Sequence, residues 1–162
     1  MTLSPRLAGL PPLIDERARV LILGSFPSTA SLGAQQYYAH PQNHFWRILA
    51  AILDVPLAGM DYVARQEAVK AAGIAIWDVY GACRRTGSLD SAIREAAAND
   101  VAALKEIAPQ LRRVVFNGKT AARFERSVAA LGFETRVLPS TSPAYTLPFA
   151  AKLEAWRAGL AG

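Results

Sequence analysis

The sequence predicts an α/β fold: a single domain, residues 1–162, with three α/β/α layers around a four-stranded parallel sheet. Three observations predict it. Short apolar runs rich in β-formers occur four times, at Arg19–Leu23, Ile74–Trp77, Arg113–Phe116 and Phe133–Leu138. Segments with helical spacing separate them, and that alternation yields parallel strands with crossover helices on both faces. Each run is followed at once by a polar cluster. In a parallel sheet the strand C-termini share one edge, which is where open α/β folds bind ligands.

The elements follow in order. Residues 1–14 hold four prolines or glycines before Leu13 and read as a surface lead-in. The first strand ends at Leu23, the chain turns at Gly24, and a loop rich in Gln, Tyr and His runs to Gln42. Phe45, Trp46, Ile48, Leu49, Ile52 and Leu53 then form an apolar stripe at helical spacing, with Asn43 as a candidate N-cap. Asp61 is placed to cap a second helix, residues 62–72, stopped by Gly73. The second strand ends at Asp78. Residues 79–99 are less regular, with a short helical stretch up to Ala98. Asn99 or Asp100 starts a helix that Pro109 ends. The third strand ends at Asn117-Gly118, and a helix over residues 119–131 closes on Gly132. The fourth strand ends in Pro139-Ser140-Thr141-Ser142-Pro143-Ala144-Tyr145, and a last helix covers residues 148–158.

Composition narrows the class. Hydrophobic residues make up 52% and charged ones 19%, which is a globular balance rather than a disordered one. A net charge of +5 and a pI of about 9.7 favour a polyanionic partner. Cys83 is the only cysteine, so the chain has no internal disulfide and cannot hold an iron–sulfur cluster by itself. That points to an intracellular, cytoplasmic and nucleoid-associated protein. Met1 to Pro12 lacks a signal-peptide core, and no apolar run reaches membrane-span length.

Several short motifs have bland readings. Gly118-Lys119-Thr120 lacks the upstream glycine of a P-loop, because Arg113 stands there. His40 and His44 share a helical spacing, but the nearby chain offers few further metal ligands. Cys83 reads as a small core or surface residue. Arg84 and Arg85 are either a solvated pair or phosphate contacts. No Gly-x-Ser-x-Gly elbow supports acyl transfer.

Taken together, a set of separated motifs resembles the uracil-DNA glycosylase superfamily over nearly the whole chain, and its hypoxanthine-DNA (deoxyinosine) glycosylase branch in particular. They are Gly24-Ser25-Phe26-Pro27-Ser28, Tyr37-Tyr38-Ala39-His40-Pro41-Gln42-Asn43-His44-Phe45-Trp46, Trp77-Asp78-Val79, Gly87-Ser88-Leu89-Asp90, Phe116-Asn117-Gly118-Lys119-Thr120-Ala121 and Ser140-Thr141-Ser142-Pro143-Ala144. The departures are as informative. Phe26 stands where most members carry a water-positioning Asp or Asn. Ser140 replaces the histidine of uracil-DNA glycosylase proper, and Tyr145 stands where this branch often has Asn.

The resemblance implies a monofunctional glycosylase that excises hypoxanthine from DNA, with no metal and no organic cofactor. It makes Asn43 the catalytic residue, which orients the attacking water; the competing role is the helix cap. Gly24, Ser25, Phe26, Phe45 and Asp78 are the expected base-binding residues, with Phe26 and Phe45 as stacking faces; the competing role for either ring, and the favoured one for Phe45, is ordinary core packing. Asp78 would accept from the base N1–H. Ser140, Thr141, Ser142 and Pro143 are expected against the DNA backbone, and Tyr145 and Leu147 as candidate wedges. Arg84, Arg85 and Lys119 are candidate phosphate contacts. The expected partner is DNA containing a deaminated base, met by a monomer and away from membranes. Uracil as the base, DNA binding without catalysis, and action on free nucleosides stay open as alternatives.

Overall fold

The computed structural model describes residues 4–162, so the first three residues of the predicted lead-in lie outside it. In chain order the elements are β1 (Arg6–Ala8), β2 (Val20–Gly24), α1 (Thr29–Ala34), α2 (Phe45–Leu53), α3 (Tyr62–Ala71), β3 (Ile74–Asp78), β4 (Tyr80–Arg84), β5 (Arg94–Ala98), α4 (Leu104–Ile107), β6 (Arg113–Asn117), α5 (Lys119–Ala122), α6 (Glu125–Ala129), β7 (Glu134–Leu138) and α7 (Phe149–Leu160). Among the described residues no helix is long and apolar enough to cross a membrane.

The predicted four-stranded parallel sheet is present, in the order β3-β2-β6-β7. Period-two alternation explains its two cores. Ile22, Ile76 and Val115 point to one face, where they pack with Phe45, Ile48 and Leu49 of α2, Val69 of α3 and Trp156 of α7. Leu21, Leu23, Val114 and Phe116 point to the other and meet Leu104, Ala121 and Val128. The chain steps from β2 outward to β3, then crosses to β6 on the other flank. The crevice at the C-terminal ends of β2 and β6 is therefore a topological switch point.

The region between β3 and α4 departs from prediction. β4 pairs antiparallel with β1 and with β5, making a second, three-stranded sheet. Arg94–Ala98 was expected to be helical on its alanines, yet it forms β5. Five residues cannot offset helix nucleation, whereas an extended partner strand lies close by in sequence. The predicted surface lead-in contributes β1 for the same reason: the other edge of β4 needs a hydrogen-bonding partner. Cys83 is buried on β4.

Three helices also differ from expectation. The first loop contains α1, capped by the Ser28 side chain, which accepts from the Ser31 N–H. The helix expected after Asn99 is a 3₁₀ turn, Val101–Ala103, followed by the short α4. The helix expected over 119–131 is interrupted between α5 and α6, where Arg123 and Phe124 connect them.

Candidate active site

Four strand ends build a cleft of about 660 Å³, within the size range of small-molecule sites, roughly 300–1,000 Å³. Its floor starts from a glycine. Gly24 and Asp78 are register partners on β2 and β3, so their side-chain positions fall on the same side of the sheet. A Cβ on Gly24 would lie 2.5 Å from Asp78 Oδ1 and 2.9 Å from the Tyr38 hydroxyl. The missing side chain is thus the space into which both polar groups fold.

Asp78 is 4% exposed, and its Oδ2 is buried without a hydrogen-bond partner. Burial raises the carboxyl to about 7; Asp90 adds to the rise and Arg85 opposes it. A carboxylate oxygen left unsatisfied at the bottom of a cleft is a vacancy for a donor from a ligand. Tyr38 sits at φ +55, the left-handed region that a bulky residue occupies only when its surroundings hold it there. Its ring stacks on Phe45 at 3.9 Å between centroids, and its hydroxyl accepts from Asn117 Nδ2 at 3.2 Å. Burial, with Asp78 nearby, holds the phenol well above its usual range, so Tyr38 remains an O–H donor.

One wall is the entry to α2. Asn43 lines the cleft and its Oδ1 accepts from the Phe45 N–H at 2.9 Å. The helix cap by backbone position is His44, one residue later than expected, and its own side chain makes no capping bond. Asn43 therefore supplies the cap from one residue further out. A carbonyl oxygen carries two lone pairs, so the second remains open toward the cleft.

A second, adjoining wall is the segment after β7, and a buried polar pair fixes it. Asn117 Oδ1 accepts from the Thr141 N–H at 3.0 Å, while Asn117 Nδ2 donates to Thr141 Oγ1 at 3.0 Å. The His44 N–H donates to the Thr141 carbonyl at 3.0 Å, which ties this wall to the start of α2. Beneath it, Lys152 is fully buried and donates to the Ser142 carbonyl at 3.2 Å, and Trp156 Nε1 donates to the Pro139 carbonyl at 2.8 Å. Gly118, at φ +95, lets the turn after β6 approach Ser140, whose Cβ would lie 3.1 Å from an added side chain.

Gly24, Ser25, Phe26, Asn43, Asp78, Lys119, Ser140, Thr141, Ser142 and Tyr145 all line this one cleft. The other expected site residues do not. Phe45 is fully buried and covered by the Tyr38 ring, so the stacking face on that side belongs to Tyr38. Arg84 lies on the second sheet, paired with Glu95 at 2.5 Å and bonded to the Ser4 carbonyl at 2.8 Å. Arg85 is 3% exposed, donates to the Pro27 carbonyl and lies 5.2 Å from the Phe26 ring centroid. It braces the first motif from behind and has no surface to offer a phosphate. Pro143 is exposed outside the cleft lining, and Leu147 is half-buried outside it. Tyr38, Asn117 and Leu89 also line the cleft and were not among the expected site residues. Asn117 had a legible signal, since a polar residue ended an apolar strand; the fold of Tyr38 over Phe45 had none.

Comparison with known proteins agrees with this architecture. Residues 11–158 match the family model for the uracil DNA glycosylase superfamily. A hypoxanthine DNA glycosylase of Methanosarcina barkeri is 40% identical over 148 residues, covering 91% of this chain and 94% of the relative. One from Methanosarcina acetivorans is 43% identical over 136 residues, covering 84% and 86%. A solution NMR structure of a candidate uracil DNA glycosylase from Methanosarcina acetivorans superposes with a TM-score of 0.85 at 38% identity, covering 95% of this chain and 96% of that one.

Proposed function

The chain belongs to the uracil DNA glycosylase superfamily, and we propose that it is a monofunctional glycosylase that flips a deaminated base, preferentially hypoxanthine, out of DNA and hydrolyses its N-glycosidic bond. The observation that carries the reading is the pairing of Asp78, with its unpartnered Oδ2, and Asn43 in one cleft at the sheet edge.

Adenine and hypoxanthine differ where Asp78 would meet them. Adenine has an acceptor at N1, whereas deamination puts a proton there beside the O6 carbonyl. Above about pH 7, where the Asp78 carboxyl is ionised, it accepts from N1–H, and the buried Oδ2 thereby gains its missing bond. Against adenine the same oxygen faces a lone pair, and the unmet acceptor disfavours binding. Phe26 offers an apolar surface for the flipped ring, held from behind by Arg85.

Excision breaks the C1′–N9 bond. The bonding electrons leave with the base, and the sugar takes on oxocarbenium character. Water then adds to C1′ and releases its proton, leaving an abasic site and free base. Asn43 is assigned the water: its Oδ1 already accepts from the Phe45 N–H, and its second lone pair would accept from a water O–H. An amide is a poor base, but a cation largely formed before attack needs only an oriented nucleophile. Ser140 and Ser142 would present hydroxyl and N–H groups to phosphates, and Lys119 a charge.

The test is single-turnover excision on duplexes carrying inosine, uracil, xanthine or no lesion. Inosine should be converted to an abasic site, and Asn43→Ala should slow this by about 100-fold or more. Asn43→Ser keeps an acceptor for the Phe45 N–H and so separates capping from chemistry. Stable, folded Asn43→Ser with the wild-type rate would remove the assignment of the water to Asn43. Preferential release of uracil would change the base, and binding without product on any duplex would refute catalysis.

A further inference from the structure

Six large apolar side chains stand exposed among the described residues, and three of them, Leu89, Val137 and Tyr145, line the candidate active-site cleft at its mouth. Exposed apolar side chains gathered at a single mouth mark a contact surface. Leu89 is the most exposed of the three, at 60%. Its backbone is nevertheless held on both sides. Ser88 Oγ accepts from the Thr29 N–H at 2.9 Å and donates to Thr29 Oγ1 at 3.1 Å. Asp90 Oδ1 accepts from Ser25 Oγ at 2.6 Å, and the Leu89 carbonyl accepts from the Ala92 N–H at 3.1 Å. Gly87, at φ +77, makes the turn that brings this strap across to the first motif.

The other two apolar groups are differently placed. Tyr145 turns its ring toward the buried ammonium of Lys152, 5.6 Å from the ring centroid. Val137 is a short side chain on β7. Only Leu89 combines an anchored backbone with a long, mostly solvent-exposed apolar side chain at the mouth.

We propose that Leu89 is the wedge: it enters the duplex where the flipped nucleotide leaves and packs against the neighbouring bases. This rests on the glycosylase reading and assigns it a residue outside the Ser140–Tyr145 segment. Flipping opens an apolar gap in the stack, and filling it with an aliphatic side chain slows the return of the base. The strap links the wedge to the pocket, since Asp90, the residue after Leu89, is bonded to Ser25 beside Phe26. Insertion and base capture are thereby moved together.

Single-stranded DNA has no stack to refill, and this supplies the test. Single-turnover excision of inosine is compared in duplex and single-stranded DNA for wild type, Leu89→Ala, Leu89→Met and Tyr145→Ala. Leu89→Ala should lose about tenfold or more on duplex and change little on single strands, while Leu89→Met restores the duplex rate. An undiminished duplex rate, an equal loss on both substrates, or a duplex-specific loss confined to Tyr145→Ala would overturn the proposal. Fluorescence of 2-aminopurine beside the inosine reports unstacking without any excision. A rise with wild type that disappears in Leu89→Ala supports the wedge even if no base is released, an outcome that would refute only the glycosylase reading. No rise with wild type on any duplex overturns the wedge.

Discussion

Replacing Asp78 with Asn should stabilise the protein while weakening its choice of base. The carboxyl rises from 3.8 to about 7 on folding, chiefly because it is buried. Between those values the folded chain holds a proton that the unfolded chain has released. Stability therefore falls as pH climbs through this window and levels off above it. Three pKa units correspond to about 4 kcal/mol. Asparagine has nearly the same shape and no charge to desolvate. Relative to wild type, Asp78→Asn should gain almost nothing near about pH 4 and about 4 kcal/mol near about pH 8. Urea unfolding of both proteins at several pH values measures this difference, from which unrelated titrations cancel. In activity the change runs the other way. An amide offers both a donor and an acceptor, so adenine also finds a partner, and the ratio of inosine to adenine excision should fall about tenfold. A flat or inverted stability difference across the window would refute the buried, raised carboxyl, and an unchanged ratio would refute its role in reading the base.

Two further substitutions probe the frame around that carboxyl. Gly24→Ala puts a methyl group 2.5 Å from Asp78 Oδ1 and 2.9 Å from the Tyr38 hydroxyl, and both are short of room to move. Overpacking of about 1–3 kcal/mol should displace the floor and cut inosine excision about tenfold or more, read by single-turnover kinetics with circular dichroism as the control for folding. Asn117→Ala removes three side-chain hydrogen bonds and leaves the Thr141 N–H buried and unpaired. A loss of about 2–4 kcal/mol in urea unfolding is expected, with a larger fall in DNA affinity than Gly24→Ala produces, because the wall proposed to meet the DNA backbone is released.

What the sequence disclosed follows physical lines. The four parallel strands are short apolar runs bounded by polar residues, a pattern that needs no partner to be recognised, and their shared edge follows from topology. The second sheet was hidden because β5 is exposed Arg-Glu-Ala-Ala-Ala, whose composition favours helix; only pairing with the preceding strand β4 makes it a strand. The helices after Asn99 and Lys119 were legible in position and not in continuity, since short apolar segments adapt to the sheet they cover. At the site, Gly24, Asp78 and Asn117 were visible as polar or glycine punctuation at strand ends. Asn43 was visible as a cap, and the catalytic role proposed for it came from family resemblance. Arg84 and Arg85 misled because a basic pair reads as surface. Nothing in the sequence signals that Arg85 lies buried against Phe26 and the Pro27 carbonyl.

Several of the costs this fold carries meet around Gly24. Asp78 keeps an unpaired carboxylate oxygen, Tyr38 holds a left-handed backbone, and Asn117 spends its amide on positioning Thr141 and Tyr38. The first two are destabilising as packing choices, and the two apolar cores that flank the sheet are available to offset them. The arrangement is rigid because its walls are joined by backbone. The His44 N–H bonds the Thr141 carbonyl, so the residue beside Asn43 and the segment that would meet the DNA backbone cannot move independently. A water held by Asn43 would then stand at a fixed distance from a sugar whose phosphates are gripped by Ser140 to Ser142. That preorganisation can replace the stronger base that Phe26 displaces and the leaving-group donor that Ser140 cannot supply: a weak acceptor in a fixed place serves a reaction whose cation forms first.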